Sequence, residues 1–105
     1  MKKQSHKYGA TPVLRKGIRY DSKLEAKCAA WLDILVKSGD VVFYLRQVPF
    51  DLPGNVKYRC DFEVFWKNGE VSFLDAKGVE TKDFIMKKKM VEDLFPITIE
   101  TWKGK

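Results

Sequence analysis

Cysteine and histidine are scarce in this 105-residue chain: Cys28, Cys60 and His6 are the only ones. Two cysteines and one histidine do not make a structural zinc site. The longest unbroken apolar runs, residues 28–32 and 41–45, are far too short to span a bilayer. The basic start, Met1-Lys2-Lys3, is not followed by the apolar stretch of a signal peptide. These absences describe a reduced, intracellular, cytoplasmic protein with no membrane partner. The sequence also lacks internal repeats, low-complexity tracts and a glycine-rich phosphate loop. Its first twenty residues contain no acidic side chain.

What is present is an excess of positive charge, 20 Lys and Arg against 14 Asp and Glu, for a net charge of +6. That balance favours an anionic partner, although basic structural proteins share it. Lys2, Lys3, Lys7, Arg15, Lys16 and Arg19 fall in residues 1–20 together with Gly9, Pro12 and Gly17. This segment reads as an irregular basic arm, partly ordered over 11–14, suited to phosphate contacts along a nucleic-acid backbone. His6 reads as an ordinary surface histidine. Residues 21–105 are enough for one domain with a modest core.

The centre of that domain is the run from Tyr58 to Gly78. Residues 56–66 and 70–74 are rich in β-branched and aromatic residues, and Lys67-Asn68-Gly69 lies between them. Asn-Gly is a strong hairpin signal. A two-residue loop would send Asp61 and Asp75 to opposite sides of the sheet. A three-residue loop, with Gly69 left-handed in a bulge, sets Trp66 against Glu70 and Asp61 against Asp75. We favour the second register, in which Arg59, Asp61, Glu63, Asp75 and Lys77 share one face. Strands are depleted in Asp, and two facing carboxylates repel unless one is protonated or a cation lies between them. An all-oxygen site of this kind suits Mg²⁺ or Mn²⁺. Lys77 adds a positive charge beside it.

Around this hairpin the spacing of Leu24, Cys28, Trp31, Leu32 and Leu35 predicts a helix over 22–37, closed by Gly39. Ser22 and Glu25 fit a capping box, and Glu25 has equal claim to a place at the acidic cluster. Residues 41–46 are apolar enough for an internal strand, with 47–50 continuing it as an edge because Pro49 lacks a donor. Gln47 has the chemistry to bind a phosphate or a metal-bound water, but reads first as a polar strand end. A turn over 51–55 carries Pro53-Gly54. A second helix is expected over 81–95, with Ile85, Met86, Met90 and Leu94 inward, covering the apolar face of Tyr58, Cys60, Phe62, Val64, Trp66, Leu74 and Ala76. Lys82, Lys87, Lys88 and Lys89 belong to the same helix. A last strand over 97–102 completes an α/β order, α-β-β-β-α-β, with a mixed sheet and a helix on each face.

A helical Glu25, Asp61, thirteen residues, and then Asp75-Ala76-Lys77 resembles the PD-(D/E)XK nuclease superfamily over residues 18–102. The small Holliday-junction resolvases of phages and archaea, and small phage nuclease-like proteins, are the nearest in pattern. Cys60 stands where the motif usually has proline, and Asp75 where glutamate is more frequent. The resemblance implies a restriction-endonuclease-like core and an Mg²⁺-dependent endodeoxyribonuclease, with Mn²⁺ as substitute. Asp61, Asp75 and the Ala76 carbonyl would hold the metal, Glu25 would join through a second metal or a water, and Lys77 would act on the attacking water or neutralise charge. Arg59, Lys82, Lys87 and the arm would grip DNA, branched or duplex. A homodimer would follow for a junction resolvase, which needs two matched cuts, and a phage-encoded chain would work in the host cytoplasm in DNA recombination. Two other readings stand beside it. One is a module that binds nucleic acid without cutting; the other is a structural protein whose Asp75 and Lys77 pair with surface neighbours.

Overall fold

The computed structural model describes residues 11–104. A mixed four-stranded sheet carries one helix on each face. The elements in chain order are β1 (Val13–Arg15), β2 (Ile18–Tyr20), α1 (Lys23–Ser38), β3 (Val41–Leu52), β4 (Val56–Trp66), β5 (Val71–Ala76), α2 (Lys82–Leu94) and β6 (Ile99–Trp102). The large sheet runs β3-β4-β5-β6, antiparallel except for the parallel β5–β6 pair. The expected α-β-β-β-α-β order is therefore present, preceded by two short strands.

Those two strands replace the expected irregular arm over the residues described. Lys16 and Gly17, at φ 52° and 78°, form a two-residue turn of the type that closes tight hairpins. Tyr20, 1 % exposed, anchors this hairpin in the core beneath α1. Arg15 ties it to the same helix through an ion pair with Asp33 at 2.8 Å. Residues 13–20 are thus part of the domain. Lys2, Lys3, His6 and Lys7 lie outside the described residues.

Helix α1 begins and ends where its caps predict. The Ser22 hydroxyl accepts the Glu25 N–H at 3.0 Å, and Gly39 closes the helix at φ 89°. The central hairpin also takes the expected register. Pairs run from Phe65–Val71 to Phe62–Leu74, the Trp66 N–H donates to Glu70 O, and Gly69 is left-handed at φ 92°. One further step along the ladder brings Asp61 opposite Asp75.

The covering of the sheet departs from expectation at one place. A regular strand keeps its even-numbered residues on one side. On β4, Phe62, Val64 and Trp66 pack under α1, whereas Tyr58 and Cys60 join the cluster under α2. On β3, Tyr44 packs on the α1 side, and Arg46 meets the α1 residue Glu25; Val48, Phe50 and Leu52 pack on the α2 side. Both breaks fall at one level, because Arg46 pairs with Phe62 and Val48 with Cys60, leaving Gln47 opposite Asp61. Gln47 has φ 53°, the left-handed region that a non-glycine residue enters only at a cost. No residue is inserted; the ribbon reverses its faces. The first helix, not the second, therefore covers Phe62, Val64, Trp66, Leu74 and Ala76.

Two further expectations are corrected. In α2 the inward residues are Phe84, Val91 and the half-buried Met90, while Ile85, Met86 and Leu94 are exposed. Lys87 and Lys88 lie between Phe84 and Val91, half-buried and paired with Asp83 and Glu92 at 3.2 Å. Strand β3 is an edge along its whole length, so Val42, Phe43 and Leu45 are exposed rather than internal. Phe43 stacks on Phe65 at 4.4 Å between ring centroids.

These positions separate cleanly in a stability measurement. Phe62→Ala empties a fully buried site and is expected to cost about 3–5 kcal/mol in urea unfolding. Met86→Ala, at an exposed helix position, is expected to change stability by no more than about 0.5 kcal/mol.

Candidate functional site

The reversal at Gln47 and Asp61 also parts β4 from β5, and the two aspartates close the gap. The Asp61 N–H donates to Asp75 Oδ1 at 2.9 Å. The Ala76 N–H donates to Asp61 Oδ2 at 3.0 Å. Each carboxylate thus takes a main-chain donor that a regular ladder would have paired with a carbonyl. Asp75 is 1 % exposed, and its second oxygen, Oδ2, has no hydrogen-bond partner among the described residues.

Glu25 reaches the same place from α1 and is 2 % exposed. Its two oxygens divide their work. Oε1 accepts at 2.9 Å the N–H of Asp21, the residue before the N-cap Ser22, tying the entering chain to the helix. Oε2 accepts from Gln47 Nε2 at 3.0 Å and lies 3.5 Å from Arg46 Nη2. Ser22 is therefore the cap, and Glu25 both holds the chain entering the helix and belongs to the cluster. Gln47 Nε2 also donates to Asp61 Oδ1 at 3.3 Å. One amide nitrogen so joins a helix carboxylate to a strand carboxylate.

Burial pushes the Asp61 carboxyl up to about 6; the Glu25 charge adds to this, and the Ala76 N–H, Lys77 and Gln47 oppose it. Burial likewise pushes Asp75 up to about 6, against the Asp61 N–H and Lys77, with Glu25 again raising it. Lys77 follows the end of β5, and its ammonium lies 5.1 Å from the centre of the Phe84 ring on α2. Its charge is felt by both aspartates although it pairs with neither. The four expected residues Glu25, Asp61, Asp75 and Lys77 are thus gathered in one region, with Ala76 beside them.

Arg46 was not anticipated in this region. Its guanidinium lies 4.3 Å from the Tyr20 ring centre, donates to Arg19 O and leaves Nε without a partner. Gln47, set aside as a strand end, is central. The remaining basic candidates are spread out. Arg15 is committed to Asp33, Arg19 to Asp21 and Lys87 to Asp83, whereas Lys16, Arg59 and Lys82 are exposed. Both cysteines are free and buried, and burial pushes their thiols up to about 12, so they serve as core residues.

Residues 5–105 match a family described as a protein of unknown function, DUF1064. The chain belongs to that family. Neither the curated proteins nor the solved structures include a match to it.

The donor chemistry here fits a hard divalent cation: the acidic side chains offer oxygen only, and one buried carboxylate oxygen has no partner. Among the described residues, however, no three His, Cys, Asp or Glu side chains converge as a metal site. The Gln47 amide lies between Glu25 and Asp61, and Asp61 spends both oxygens on protein donors.

The raised aspartates carry a stability cost with a defined pH dependence. A carboxyl whose folded value exceeds its unfolded one holds its proton longer in the folded state. Stability is then fullest below about pH 4, falls as the pH rises to about 6, and stays lower above it. Asp75→Asn keeps an oxygen to accept the Asp61 N–H and cannot ionise. In chelator at pH 7.5 it is expected to be more stable than the parent by roughly 1–3 kcal/mol, with the difference closing by about pH 4. Thermal unfolding across this range measures it.

Proposed function

We propose that this protein is a metal-dependent endonuclease that hydrolyses phosphodiester bonds in DNA, with branched, junction-like DNA as its preferred substrate. The observation that carries this reading is a pair of aspartates facing each other across parted strands, Asp61 half-buried and Asp75 buried with an unpartnered oxygen, beside a buried glutamate and a lysine. Structural sites rarely leave a buried carboxylate oxygen orphaned, because its desolvation is then uncompensated. Functional sites do so where a ligand completes the set.

Asp61, Asp75 and the main chain at Ala76 would hold Mg²⁺ or Mn²⁺. When bound, such an ion lowers the pKa of a water and offsets charge on the phosphate. Main-chain donors fix the orientation of both aspartates. Glu25 adds negative charge from the first turn of α1, where it is held by the Asp21 N–H. Lys77 Nζ supplies positive charge near both carboxylates, suited to orienting the attacking water or stabilising the charge that develops in the transition state. Arg46 stands at the edge of the cluster, and the exposed Lys16, Arg59 and Lys82 would hold backbone phosphates without reading bases. The exposed Val42, Phe43 and Leu45 on edge strand β3 offer a surface for pairing two copies, as matched cuts at a junction require.

One observation favours a second reading, a nucleic-acid-binding module that does not cut. Asp61 is fully engaged by protein donors and three acidic groups do not converge. That reading leaves the buried Asp75 oxygen unexplained.

Labelled four-way-junction, duplex and single-stranded DNA of matched sequence separate the two, each incubated with Mg²⁺, Mn²⁺ or chelator. The nuclease reading expects metal-dependent cutting, strongest on the junction. It also expects Asp61→Asn and Asp75→Asn to lose at least a hundredfold in rate while staying folded and still binding DNA. Tight binding with no cutting under any metal is the result expected of the module.

A further inference from the structure

The Gln47 amide occupies a position that chemistry would otherwise give to a cation. Its nitrogen lies 3.0 Å from Glu25 Oε2 and 3.3 Å from Asp61 Oδ1, so a single NH₂ group uses both protons on two carboxylates. These are the lone pairs a shared ion would need. We propose that Gln47 is a placeholder: it bridges Glu25 and Asp61 in the ion-free protein and swings aside when a divalent cation takes the position between them. The proposal rests on the metal-dependent reading above and assigns Gln47 a role in it.

Anchoring determines which group moves. Glu25 is fixed from behind by the Asp21 N–H on its other oxygen. Asp61 is fixed in the same way by the Ala76 N–H on Oδ2. The Gln47 side chain makes no hydrogen bond other than those to these two carboxylates among the described residues. It hangs on a flexible stem with three rotatable bonds, so it is the free partner of the three. Its departure leaves two oriented oxygens facing one position, near Asp75, whose Oδ2 is buried and unpartnered.

The strained backbone supports the assignment. Gln47 is held at φ 53° opposite Asp61, where its flanking residues pack on opposite faces of the sheet. Such conformations persist when surrounding structure imposes them, and they concentrate at working sites.

The test is Mn²⁺ binding to the metal-free full chain, measured by electron paramagnetic resonance and by calorimetry, for the parent, Gln47→Gly and Gln47→Asn. Glycine removes the amide and accepts the left-handed backbone without strain. Asparagine also tolerates that backbone, and its shorter amide cannot span both carboxylates. Thermal unfolding and circular dichroism establish that each variant is folded; if glycine loosens the strand, asparagine carries the comparison. The proposal expects Mn²⁺ to bind Gln47→Gly about tenfold more tightly than the parent, with a larger rise in Tm on adding the ion. Equal binding overturns it, and weaker binding overturns it by making Gln47 a ligand; both leave the metal-dependent reading standing. No binding of Mn²⁺ or Mg²⁺ to any of the three proteins overturns the placeholder and the metal-dependent reading together.

Discussion

The paired donation between Asp61 and Asp75 is the constraint on which this structure turns. Strands β4 and β5 cannot simply continue their ladder past Phe62 and Leu74, because the ribbon of β3 and β4 reverses its faces at Gln47 and Asp61. Two main-chain N–H groups would otherwise be buried without acceptors, at about 1–3 kcal/mol each. Carboxylates fill that need as strong acceptors for main-chain donors. The reversal lets one sheet present an apolar surface to each helix along a single long hairpin, and it places acidic groups where the two surfaces change over.

The same arrangement sets structure against chemistry. Placing two buried acidic side chains and one half-buried one near one another is unfavourable, and only part of the charge is offset by Lys77, Arg46 and the main-chain donors. An amide in place of Asp61 or Glu25 keeps only one acceptor oxygen, whereas each carboxylate accepts from two donors here, so the cluster answers in part to the main chain it holds.

Much of this was readable from residue order. Asn68-Gly69 with Lys67 before it specified a bulged loop, and that loop alone brought Asp61 opposite Asp75. Ser22 and Gly39 marked the limits of α1. The less legible features have physical reasons. Lys16-Gly17 lacks the asparagine that advertises a tight hairpin, and its strands are held chiefly by packing of Tyr20. Helix α2 has apolar residues on more than one side. The choice of Phe84 and Val91 over Ile85, Met86 and Leu94 goes with half-buried Lys87 and Lys88, whose ion pairs no apolar spacing announces. Gln47 carries no local signal for a left-handed backbone; that conformation is imposed by the two strands it joins, and with it went the chance of seeing that Gln47 and Arg46 face Glu25.

Glu25 makes the start of α1 sensitive to what happens among the acidic residues. One oxygen holds the chain entering the helix through the Asp21 N–H, and the other faces the cluster. The two oxygens share one delocalised charge, so a change in what Oε2 contacts alters Oε1 as an acceptor. The entry to a sixteen-residue helix is thereby coupled to the acidic residues of the sheet. The Asp21–Glu25 bond, which joins the residue after the N-terminal hairpin to that helix, becomes a joint between the two.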